Sequence, residues 1–267
     1  MKTICAAVEG HIKRCKRVLV CAPTNEAVNA LVRTWEDFAD KKFHFGRWAV
    51  FRSAYLNKSL NAQPSASQPG RMDDQNAADS HWNPPSSKAA RSSAEDWTKR
   101  GLAHRCWQLA KLTTEHPSSP GFDDAKRYLE LLGVHNCDMS SEDRAQLRFL
   151  GDDFQRMILE ETKVIFSTTS MSCHPVLMEY FPAEVVVVDE ADAATTPDLV
   201  TPLAAFKNSV EVAVLSGGQK QRSPVVFSRG PNEAYNALKR SLFEVLADED
   251  RPTSLSDQRY PVCRLST

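Results

Sequence analysis

Apolar residues in this chain gather in short runs that do not alternate with polar ones. Val185-Val186-Val187-Val188 is the plainest, and residues 18–22, 48–51, 164–167 and 212–215 are of the same kind. Four valines in a row leave no polar face, so such a run predicts a strand buried on both sides, as in a parallel sheet covered by helices. Between the runs, apolar residues recur at helical spacing. Ile4, Ala7, Val8 and Ile12 line one side of a helix over 2–14. Ala27, Val28, Leu31, Val32, Trp35 and Phe38 do the same for a helix running to residue 40, with Thr24 placed to cap it. Further helical patterns cover 95–112, 123–133 and 141–160. Strands alternating with helices predict an α/β fold with a doubly wound parallel sheet.

The pattern breaks near residue 57. From there to about 94 the chain is rich in Ser, Asn, Gln, Pro and Ala, as in Asn83-Pro84-Pro85-Ser86-Ser87. Too few apolar side chains remain to offset the entropy of ordering, so this stretch is expected to be disordered. The organisation that follows is a core of residues 1–52 and 160–267. An insertion over 53–159 interrupts it, disordered over 57–94 and helical over 95–159.

Composition changes this picture little. The 267 residues are 42% hydrophobic and 25% charged, as in ordinary soluble globular chains. A formal net charge of −1 supplies no global field to recruit nucleic acid, so any such binding needs a local patch. The basic run Lys13, Arg14, Lys16, Arg17 reads first as a solvated face and second as such a patch. No run of 18 apolar residues and no signal-peptide pattern occurs. The seven cysteines form no Cys-x-x-Cys pair, which argues for reduced core thiols inside the cell, in cytoplasm or nucleus.

The candidate chemistry lies just after the apolar runs. Asp189 and Glu190 follow the four valines, at the edge where open α/β sheets bind their ligands. In a nucleotide hydrolase the first acid helps hold Mg²⁺ and the second orients or deprotonates water. Their plainer reading is as caps of the next helix. Pro23-Thr24-Asn25-Glu26 follows the first run, and Ser216-Gly217-Gly218-Gln219-Lys220-Gln221 follows the last.

In this order the features resemble the first RecA-like, P-loop NTPase motor domain of superfamily 1 helicases, of the nonsense-mediated-decay type (DNA2/NAM7-like). The resemblance covers about 2–50 and 160–260. It implies that Thr24, Asn25, Thr168 and Thr169 contact a single strand of RNA or DNA. It further implies that Asp189 is the Mg²⁺ ligand and Glu190 the catalytic glutamate. Gln221 would then sense the γ-phosphate of ATP, and Gln258, opening a later motif, would help bind the nucleotide. Ser241-Leu242-Phe243-Glu244 also recurs in that family. The literal Asp189-Glu190-Ala191-Asp192 invites a rival reading as a superfamily 2 DEAD-box helicase. Gly217 with Gln221, and Asn25 after Pro23-Thr24, fit superfamily 1 better.

Several positions depart from the family pattern. Gly218 stands for the usual aspartate, Ala193 for the usual glutamine, and Arg259-Tyr260 reverses a tyrosine–arginine pair. No Gly-x-x-x-x-Gly-Lys-[Ser/Thr] stretch occurs, and Lys2-Thr3 is either the tail of such a loop or an ordinary helical pair. A phosphate loop supplies several charge-assisted hydrogen bonds of about 1.5–3 kcal/mol each. Losing three or four costs on the order of 5 kcal/mol, a thousandfold or more in affinity. The expectation is therefore a truncated ATP-dependent helicase motor, feeble in ATP hydrolysis by itself. The alternative is a non-catalytic remnant that binds nucleic acid or protein.

Overall fold

The computed structural model describes residues 2–14, 16–39, 48–51, 101–134, 138–218, 223–226, 232–248, 253–255 and 261–266. The expected disorder over 57–94, and both Gln221 and Gln258, lie outside these residues.

The elements run α1 (Lys2–Ile12), β1 (Val18–Ala22), α2 (Asn25–Ala39), β2 (Trp48–Val50), α3 (Leu102–Thr114), α4 (Phe122–Leu132) and α5 (Ser141–Glu161). There follow β3 (Val164–Thr168), a 3₁₀ turn (Ser170–Cys173), α6 (Pro175–Tyr180), β4 (Val185–Val188) and α7 (Thr196–Ala205). The chain continues through β5 (Val212–Ser216), α8 (Tyr235–Leu238), α9 (Leu242–Asp248), β6 (Thr253–Leu255) and β7 (Pro261–Ser266). Among the described residues, seven strands form one sheet in the order β2-β3-β1-β4-β5-β7-β6. The five apolar runs make its parallel part, β2-β3-β1-β4-β5. β7 and β6 extend it antiparallel, with Val212 opposite Ser266 and Ser216 opposite Val262. The apolar pattern did not foretell this extension: β7 begins with Pro261 and carries Arg264, so it has no continuous run to betray it.

The chain divides into two compact units, residues 1–52 with 152–267, and residues 53–151. In the first, the middle strands β1 and β4 are buried along their whole length, which is why they read as unbroken hydrophobic runs. α2 lays Val28, Leu31, Val32 and Trp35 into the core, with Trp35 6.0 Å from the Phe166 ring of β3 and Trp48 edge-on to the same ring. Burial of aromatic side chains in such offset geometry contributes beyond area alone. In the second unit, α3 and α4 pack on each other, burying Cys106 and Ala110 with Ala125, Tyr128 and Leu131. Arg127 ties α4 to the start of α5 through Asp143 at 2.7 Å and Gln146 at 2.9 Å.

The basic run resolves into structure at the amino edge of the sheet. Lys16 Nζ meets Glu184 and Glu211, each at 2.7 Å, and the N–H of Arg17 donates to Glu184 Oε2 at 2.9 Å. The Arg17 guanidinium donates to the carbonyl oxygens of Glu160 and Tyr180 and lies over the Phe181 ring. These two cations fasten strand beginnings together, at the opposite end of the strands from Asp189.

Candidate functional site

The strand order places the carboxyl ends of β3, β1, β4 and β5 side by side. Main-chain hydrogen bonds then join the turns that leave them. The N–H of Thr169 donates to Ala22 O at 3.0 Å, that of Asp189 to Cys21 O at 2.9 Å, and that of Ala191 to Ser216 O at 2.8 Å. Thr24, Thr168, Asp189 and Ser216 therefore share one edge, although they span most of the sequence.

Thr24 is an exposed N-cap, its hydroxyl accepting the N–H of Ala27 at 3.1 Å, and Asn25 beside it is exposed. The next turn is less open than its sequence suggests. Thr169 is 2% exposed, and the Thr168 hydroxyl is 3.2 Å from that of Ser170 and accepts the N–H of Met171. The Thr169 side chain is shut off from solvent, and the exposed hydroxyl of the turn belongs to Ser170. Hydroxyl count alone could not separate these neighbours.

Asp189 and Glu190 have different surroundings. Burial raises the Asp189 carboxyl above the ordinary aspartate range, while the N–H of Glu190 and the Ser216 hydroxyl pull it back. Glu190 is exposed, and partial burial followed by the charges of Asp189 and Asp192 raises its carboxyl too. Its backbone has φ 53, the one positive φ at a non-glycine among the described residues. Such a conformation costs on the order of 1 kcal/mol for a side chain of this kind and is found where structure over-determines it.

Neither acid caps the following helix. Thr195 does that, in a capping box with Asp198: the Thr195 hydroxyl accepts the N–H of Asp198, whose carboxylate accepts the N–H of Thr195. Ser241 and Glu244 form the same device at the start of α9, with Phe243 fully buried between them. That accounts physically for the Ser241–Glu244 pattern.

The first turn of α1 lies near the same acids. Burial, reinforced by the charge of Asp189, pushes the Cys5 thiol up to about 11. α1 packs on α2, β1 and β4. Among the described residues no group of three or more His, Cys, Asp or Glu side chains could hold a metal by itself. Along the chain Asp192, Ser216 and Gly217 are only members of their motifs; their contacts with one another arise across the β4–β5 gap.

Two comparisons with known proteins bear on the family of the chain. A family model described as "AAA domain" matches residues 2–229. A mouse protein named "3'-5' exoribonuclease HELZ2" is 37% identical over 106 residues, which take in 39% of this chain and 4% of that protein. Among the described residues no helix is long and apolar enough to cross a membrane.

Proposed function

The chain belongs to the superfamily 1 helicases of the nonsense-mediated-decay type, through the AAA domain matched over 2–229, and from that membership we propose an ATP-dependent motor domain acting on single-stranded nucleic acid inside the cell. The observation that carries the reading is the Asp189–Glu190 turn at the carboxyl edge of the sheet, beside the turns that follow β1 and β5. In this reading Asp189, held beside the Ser216 hydroxyl, takes Mg²⁺ together with the nucleotide phosphates. The ion supplies neutralisation of phosphate charge. Glu190, exposed and with a raised pKa, accepts the proton of the attacking water, for which a carboxylate brought nearer to neutrality is the better base. Gln221 senses the γ-phosphate, Gln258 contributes to nucleotide binding, and Thr24 and Asn25 hold the nucleic-acid backbone.

A second reading has its own support. Gly218 and Ala193 stand where the family pattern has two polar residues. Those departures favour a chain that binds nucleic acid or protein without efficient turnover.

Calorimetry with ATP, with and without Mg²⁺, separates the two readings. The motor reading expects Mg²⁺-dependent binding that Asp189→Ala removes and Glu190→Gln keeps, with any hydrolysis lost in Glu190→Gln. Binding indifferent to both Mg²⁺ and Asp189 would sink it and leave the second reading.

A further inference from the structure

Asp192 is the one acid of the Asp189–Asp192 turn that the proposed chemistry does not use. It is 2% exposed, and both carboxylate oxygens are shut off from water with no hydrogen-bond partner. The N–H groups of Asp192 itself and Gly218 influence the carboxylate without completing a bond in good geometry. An unsatisfied buried carboxylate costs several kcal/mol in general, so its retention calls for a reason. Contact across the sheet supplies one. A β-carbon built on Gly217 would stand 2.5 Å from Asp192 Oδ1, 3.1 Å from its Cγ and 3.0 Å from its backbone nitrogen. The side chain therefore fills the space that glycine leaves at the end of β5. One residue earlier in this turn, the N–H of Ala191 donates to Ser216 O at 2.8 Å. The turn after β4 and the loop after β5 are thus joined by one hydrogen bond and one close steric fit.

We infer that Asp192 is a positioning residue that locks the Asp189–Glu190 turn to the Gly217–Gly218 loop, so that the two move as one body. The inference builds on the proposed function only in identifying what is positioned. The lock itself is a property of the two segments. Since Gly217 opens the loop that leads to Gln221, a shift on either side of the lock is transmitted to the other by contact rather than through a ligand. Ala at Gly217 would drive the pair apart, and a shorter residue at 192 would set it free.

A double-mutant cycle tests the lock on the full chain. Gly217→Ala should lower Tm by about 4 °C or more, a core-sized loss for a chain of this length. Combining it with Asp192→Ala should recover most of the loss caused by Gly217→Ala, the backbone nitrogen 3.0 Å away accounting for the remainder. Amide exchange followed by mass spectrometry should show peptides over 189–193 and 215–218 exchanging about tenfold faster in Asp192→Ala, other core peptides being unchanged. Asp192→Asn, which keeps the shape, should restore the slow exchange. Additive losses in the cycle, or unchanged exchange in Asp192→Ala, would overturn the inference. A wild-type chain that fails to bind Mg²⁺–ATP while the cycle stays non-additive would sink the motor reading and leave the lock standing.

Discussion

The N–H of Ala191 donates to the carbonyl oxygen of Ser216 at 2.8 Å, on the β5 side, whereas two residues earlier Asp189 donates to Cys21 on the β1 side. In a parallel ladder, residues two apart face the same neighbour, so regular alternation would return Ala191 to β1. The switch is made within one residue, Glu190, and its left-handed backbone is the cost of that switch. The residue proposed to meet water therefore stands where the chain changes partners.

That strain is measurable without any ligand. Glu190→Gly should leave stability unchanged or raise it by up to about 1 kcal/mol, since glycine accepts positive φ freely and gives back some of the gain through its unfolded-state entropy. Glu190→Val should lose about 1–2 kcal/mol, because a β-branched residue tolerates that region worst. Urea melts of the two variants decide the matter. Equal stability for both would mean the turn is not strained.

Asp192 should set a pH dependence. Burial, the largest cause, raises its folded pKa, and Asp189 and Glu244 add to the effect. The unfolded carboxyl titrates near about 4. Above that value the native chain binds more protons than the unfolded one, so the stability present at lower pH is lost as pH rises through the folded pKa. Asp192→Asn should therefore raise Tm at pH 7.5 by about 2–4 °C, and by clearly less at pH 4.5. A Tm difference independent of pH would show that Asp192 carries no buried charge.

Cys5, Cys21, Cys106 and Cys173 should react unequally. Burial pushes Cys21 and Cys106 up to about 12 and Cys5 to about 11, leaving almost no thiolate near neutrality, while Cys173 is exposed. Maleimide labelling mapped by mass spectrometry should modify Cys173 within minutes and the other three only on unfolding. Early labelling of Cys21 would contradict the buried β1 strand.

Thr24 and Asn25 should separate stability from binding. Thr24→Ala removes the hydroxyl that accepts the N–H of Ala27 and should cost about 1 kcal/mol. Asn25→Ala, at an exposed position, should change Tm little yet weaken binding of a fluorescent single strand several-fold. The same assay should show Thr169→Val, a buried position, acting through stability alone. Unchanged affinity in Asn25→Ala would remove that turn from the nucleic-acid surface.

The sequence by itself determined the five parallel strands, the helix after Thr24 and the place of Asp189 and Glu190. Strands buried on both faces must be written as unbroken apolar runs, and polar residues right after such a run can only sit at its carboxyl edge. Pairing across the sheet was decided by the tertiary structure alone. Nothing in Thr168-Thr169-Ser170 says which hydroxyl is buried, because that depends on the Thr169–Ala22 hydrogen bond between strands 146 residues apart in the ladder register of Cys21 and Ser167. Nor does Asp192 reveal its tie to Gly217, since the fit exists only once β5 lies beside β4. β7 reached the sheet unannounced for a related reason: at the far side of β5 an antiparallel strand is held by main-chain hydrogen bonds, which leave little mark on side-chain pattern.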